Sequence, residues 1–159
     1  MITLTPRGRK LLERVAKVIV KKPNAFNMTD WIVTAKNTPH HGCNTVACIA
    51  GHVVLQAGFA GPAEASDSWL HMPRGLTSAM KSLYQRLRSK SMYTGRYYAR
   101  VTVAALATEL LTEEFSLDTL FYVNEWPFAF RKPYYSSTSV EEQAEIAAKR
   151  IHHLLKTGE

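Results

Sequence analysis

The sequence predicts an all-α fold, built as a single domain of five or six helices over residues 1–159. Three features predict it. Thr5-Pro6 opens a segment in which Leu11, Leu12, Val15, Val18 and Ile19 recur at helical spacing. The stretch VACIAGHVVLQA is apolar nearly all round, as a central buried helix should be. At the other end, Ser139 and Glu142 have the spacing of a capping box, followed by an apolar line through Val140, Ala144, Ala147, Ala148, Ile151, Leu154 and Leu155.

The first helix should begin at Thr5, whose hydroxyl can accept from a free backbone N–H. Pro6 suits the first helical position because its missing donor would be unpaired there anyway. It should stop before Pro23. In PNAFNMTDWIV the docking residues are Phe26, Met28, Trp31 and Ile32, and TAKNTPHHG reads as a polar loop. The second helix is expected from Asn44 or Thr45 to Gly58, a good left-handed terminator. FAGPAEASDSW reads as another loop. Leu76, Met80, Leu83, Tyr84 and Leu87 mark a third helix. SKSMYTGRYYAR reads as either a short hairpin near 92–99 or an irregular excursion. Helical spacing resumes in VAALATELL with Thr102 as cap, and Thr112 is expected to cap a short helix in EEFSLDTLFY. Pro127 should end that region, and Gly158 should close the last helix.

Bulk composition narrows the function. The 159 residues suffice for a real core, and hydrophobic and charged shares of 46% and 21% are those of ordinary globular chains. No apolar run approaches a membrane span, and MITLTPRGRK lacks the apolar centre of a secretory signal. Two cysteines make no disulfide framework. The expectation is a cytoplasmic protein without a membrane partner. The net charge of +7 is uneven. Residues 1–60 hold eight Lys/Arg against two Asp/Glu, residues 61–108 seven against two, and residues 109–159 five against nine. A basic body with an acidic last third suggests an anionic partner for the basic part.

The densest cluster of reactive residues is HHGCNTVACIAGH. His40, Cys43, Cys48 and His52 could be metal ligands, since zinc takes four N or S donors. Their spacing matches no familiar zinc pattern, and no metal or other cofactor is expected. Cys48 near a helix start, with His52 one turn on, is the alternative for a catalytic pair, but no third group is available to orient the base. The favoured reading makes both cysteines small buried residues and His52 a partly buried histidine with a hydrogen-bond partner.

The basic residues fall in two groups. Arg7, Lys10, Arg14, Lys17 and Lys21 recur at intervals of three and four beside the apolar face of the first helix. Lys81, Arg86, Arg88, Lys90, Arg96 and Arg100 contain no acidic residue among them and are interleaved with Tyr84, Tyr93, Tyr97 and Tyr98. Cations bind phosphates, and aromatic rings can stack on bases. Candidate ligand-binding residues are therefore Arg7, Lys10, Arg14, Lys17, Lys81, Arg86, Arg96, Arg100 and Tyr97. Their partner would be nucleic acid, a nucleotide-like ligand or an acidic protein. Residues 121–135 hold seven aromatics, expected to form a loop anchored by Phe121 and Trp126. Glu125 has no partner carboxylate for acid–base chemistry.

Three segments also carry a resemblance. CNTVACIAG resembles the Cys-Gly-Thr-x-x-Cys-x-Ala-Gly-Trp pattern of a family of small uncharacterised bacterial and phage proteins. LFYVNEWPFAFR resembles their Leu-Phe-x4-Trp-Pro segment, and AEIAAKRIHHLLKTG resembles their C-terminal helix. The resemblance supports the fold rather than an activity. Asn44 stands where the family has Gly. His52 stands where it has Trp, so chemistry that needs His52 would not be shared by the family.

Overall fold

A computed structural model describes residues 2–29, 32–34, 45–58, 65–66, 69–71, 78, 81–83, 85, 100–113 and 117–159. Six helices carry labels here: α1 (Pro6–Lys21), α2 (Ile49–Gln56), α3 (Val103–Leu111), α4 (Asp118–Phe121), α5 (Phe128–Ser136) and α6 (Val140–Thr157). Residue 78, residues 81–83 and residue 85 are also helical. The fold is a helical bundle. The described residues also form two small antiparallel sheets: β1 (Ile32–Thr34) with β2 (Thr45–Ala47), and the order β3 (Ala65–Ser66), β4 (Trp69–His71), β5 (Arg100–Thr102). Each strand is only two or three residues long, too short for an alternating pattern to announce it. The segment near 92–99 lies outside the described residues.

α1 packs most extensively on α6, and α2 on α3. One apolar core joins them, from Leu11 through Val53 and Leu106 to Leu155. α1 begins as its sequence dictates. The Thr5 hydroxyl accepts from the Gly8 N–H at 2.9 Å, with Pro6 in the first turn. Its buried face is Leu11, Leu12, Val15, Ala16 and Ile19, and Val18 is only half-buried. Thr102 caps α3 through the Ala105 N–H at 3.2 Å. Ser139 caps α6 through the Glu142 N–H at 3.2 Å, and Gly158 ends it at φ 76°. Val140, expected on the buried line of α6, is 37% exposed.

Three sequence expectations are corrected. The second helix starts at Ile49, not at Asn44 or Thr45. The β-branched Thr45 and Val46 enter β2 instead, paired with Thr34 and Val33, and Ala47 is further pinned by a bridge to Phe26. Thr112 does not open a helix. It lies at the end of α3, where its hydroxyl donates to the Thr3 carbonyl at 2.7 Å and its backbone bridges Leu4. The aromatic segment is not a loop. Pro127 precedes α5 rather than ending the helical region, and the nine-residue helix tolerates Pro133, whose ring removes one backbone donor. Phe121 and Trp126 do anchor the segment. Both are buried, and the Trp126 indole N–H donates to the Leu120 carbonyl at 2.9 Å.

Candidate anion-binding groove

Cations of α1 line a cleft among the described residues. At 3.6 residues per turn, Arg7, Lys10, Arg14, Lys17 and Lys21 fall within an arc of about 80°, and all five are exposed. Leu11 borders this arc and points into the core at 4% exposure. The arc does not simply face open solvent. Pro6, Arg7, Lys10, Leu11 and Arg14 form one wall of a cleft of about 400 Å³, and Gln56 and Ala57 at the end of α2 form the other. The Arg14 guanidinium donates to the Gln56 carbonyl across the cleft at 3.4 Å, a long and weak bond that leaves most of its donors outward. Among the described residues, no ion pair engages Arg7, Lys10 or Lys17.

Local sequence explains the position of this wall. The first turn of α1 contains no acidic residue, so its positive helix end adds to the charge of Arg7 instead of being neutralised. The helix is held by its start. The Thr5 N–H donates to the Leu111 carbonyl at 2.9 Å, and Gly8 lies against the Leu111 backbone. On the opposite side, Arg9 reaches the Leu155 carbonyl of α6. Arg9 thus serves packing, while Arg7, Lys10 and Arg14 line the cleft.

The other candidate residues are distributed differently. Lys17 continues the exposed stripe but does not line the cleft. Lys81 is exposed on the helical stretch, and the backbone of Arg100 belongs to β5. Arg86, Arg96 and Tyr97 lie outside the described residues, so the second basic group is not assembled here.

The Cys/His cluster lies in the core where it is described. Cys48 is 2% exposed. It is the extended residue that caps α2, its Sγ accepting from the Gly51 N–H at 3.5 Å, rather than the third residue of a helix. His52 is 5% exposed, and its Nε2 donates to the Ala25 carbonyl at 2.9 Å. Its ring stacks near Phe26, with centroids 6.4 Å apart. Burial holds the His52 pKa below 6.5, opposed in part by that carbonyl. A ring whose nitrogen already serves the backbone is not presented to a substrate. His40 and Cys43 lie outside the described residues. Among the described residues, no group of three or more His, Cys, Asp or Glu could hold a metal ion, and no helix is long and apolar enough to cross a membrane.

Two buried polar side chains were not foreseen as structural. Arg150 is fully buried in α6, and its guanidinium donates to the carbonyls of Glu159 at 2.5 Å and Thr119 at 2.9 Å. Thr112 locks the N-terminal segment to α3. For Arg150 the signal was its place on the apolar line of α6, three residues after Ala147 and four before Leu154. Comparison with models of known families, with curated proteins and with solved structures finds no match.

Proposed function

We propose that this protein is a non-catalytic binding module that takes a phosphate-bearing partner, nucleic acid above all, in the groove between α1 and the end of α2. One observation carries the reading: Arg7, Lys10 and Arg14 line one wall of a concave cleft. Such a stripe works against the fold. Each like-charged neighbour pair three or four residues apart costs a helix roughly 0.2–0.5 kcal/mol, a cost that Glu13, four residues from Lys17, offsets only in part. A bound phosphate chain relieves that repulsion and releases its own counterions. Arginine suits the task because its planar fork offers two parallel donors to phosphate oxygens.

This reading carries with it a cytoplasmic setting, where such a partner is met. A nucleotide-like ligand or an acidic protein would use the same charges, and salt dependence separates them: saturable and shallow for a small ligand, steep for a polymer. No observation favours the cysteine- or zinc-dependent alternative at Cys48 and His52. The test is titration of labelled single-stranded and duplex oligonucleotides, and of a nucleotide panel, at two salt concentrations. Wild type is compared with a variant carrying Arg7→Glu and Lys10→Glu.

A further inference from the structure

The outward face of α5 is a second, separate feature that the groove does not explain. At helical spacing, Phe128, Lys132 and Tyr135 fall within an arc of about 60°, on the side away from buried Tyr134. Phe128 is 64% exposed and Tyr135 60%, the highest values among the large hydrophobic residues described. Exposed rings of this size on one face call for an explanation that scattered surface apolars do not.

Tyr135 is held rather than loose. The Tyr135 hydroxyl donates to Asn124 Oδ1 at 2.6 Å. Tyr134 meets the Tyr135 ring edge to face, with centroids 6.1 Å apart at 79°. Tyr134 in turn meets buried Trp126 at 5.3 Å and 72°. A ladder of three rings thus fixes Tyr135 to the core and leaves it exposed. At the other end, Lys132 Nζ sits 5.7 Å from the centre of the Phe128 ring. Arg131, at the border of the arc, is fixed by donating to the Asn124 carbonyl at 2.8 Å.

From this we infer that the α5 face is a stacking platform for a single-stranded nucleic acid. A ring held in place, as Tyr135 is, loses little entropy when a base lies on it, and the flanking cation Lys132 suits the phosphates between the bases. The seven-residue separation of Phe128 and Tyr135 is about 10.5 Å along the helix. That is about three nucleotide steps at the stacked rise of ~3.4 Å per strand. One base can then lie on each ring, with Lys132 leaving Phe128 for the intervening backbone. A duplex, whose bases are already stacked, gains nothing from such a face. A single strand does.

The test compares an oligothymidine with an abasic strand of the same length by fluorescence anisotropy. The proteins are wild type, Phe128→Ala, Tyr135→Ala, and the groove variant Arg7→Glu with Lys10→Glu. The platform predicts that each ring removal weakens oligothymidine binding by about five- to a hundredfold, the worth of one stacked base. The same changes should leave the abasic strand within twofold, and Phe128→Ala should melt as wild type does. The groove variant should weaken both strands alike, so the two sites fail separately. Unchanged oligothymidine binding by both ring variants would overturn the platform and leave the face to a protein partner. Equal loss on both strands would also overturn it, since bases would then not be what the rings hold.

Discussion

Gly8 lies against the backbone of Leu111 so closely that a Cβ at position 8 would come within 2.2 Å of the Leu111 carbonyl oxygen. That oxygen already accepts from the Thr5 N–H at 2.9 Å, so it cannot move aside cheaply. The start of α1 and the end of α3 are thereby locked together, and the lock sets the groove wall that carries Arg7 and Lys10.

Gly8→Ala is expected to destabilise the protein by about 2 kcal/mol. Alanine gains up to ~1 kcal/mol of helix propensity over glycine. Overpacking against rigid backbone outweighs that gain, at or beyond the upper end of its usual ~1–3 kcal/mol. Urea denaturation of both proteins measures the difference. A variant as stable as wild type would show that the contact is looser than described.

His52 should make stability depend on pH. Its folded pKa lies below 6.5 because burial disfavours the charged ring. The unfolded chain therefore binds the proton more readily. The contribution is fully present above 6.5 and is lost as pH falls from there through the folded value. His52→Ala should cost about 2–3 kcal/mol at neutral pH, since it leaves a cavity and deprives the Ala25 carbonyl of its donor. The gap between variant and wild type should narrow from pH 7 to pH 5.5. A gap that stays constant or widens would assign the proton elsewhere.

Arg150→Ala is expected to destabilise by about 1–3 kcal/mol, because two part-buried hydrogen bonds to carbonyls are lost. The loss is held to that range because the substitution also removes a buried charge whose desolvation opposed folding. Arg150→Lys should recover only part, since one ammonium group does not reproduce the fork that spans the Thr119 and Glu159 carbonyls. Thermal melts of the three proteins at one pH decide it. Full recovery by lysine would mean that charge alone matters.

The bundle was legible where local chemistry and periodicity agree. Thr5, Thr102 and Ser139 cap as their side chains dictate, and Gly58 and Gly158 take positive φ of 73° and 76°. The basic stripe was legible because charge on one helix face needs only spacing to be seen. The cleft was not, because its second wall, Gln56 and Ala57, comes from a helix whose place depends on tertiary packing. α5 was hidden by Pro127, which read as the end of the helical region but stands just before the helix. β2 was hidden because Thr45 and Val46 adjoin an apolar helical pattern, and only pairing with β1 separates them from it. Arg150 was passed over as a charged residue, because the carbonyls it meets, Thr119 in α4 and Glu159 after α6, are brought together only by tertiary packing.

The central claim is that the α1–α2 groove binds phosphate chains, and the most direct measurement is the affinity of a labelled single-stranded oligonucleotide across 50–200 mM salt. With about three phosphates neutralised, log affinity should fall linearly with log salt at a slope near −2. Arg7→Glu with Lys10→Glu should weaken binding at least tenfold at low salt and flatten the slope to about −0.7, because about two of the three contacts are gone. A control of equal charge change, Lys149→Glu with Lys156→Glu on the exposed side of α6, should have a much smaller effect. Absence of binding at the lowest salt, or equal losses in the groove variant and the control, would contradict the account.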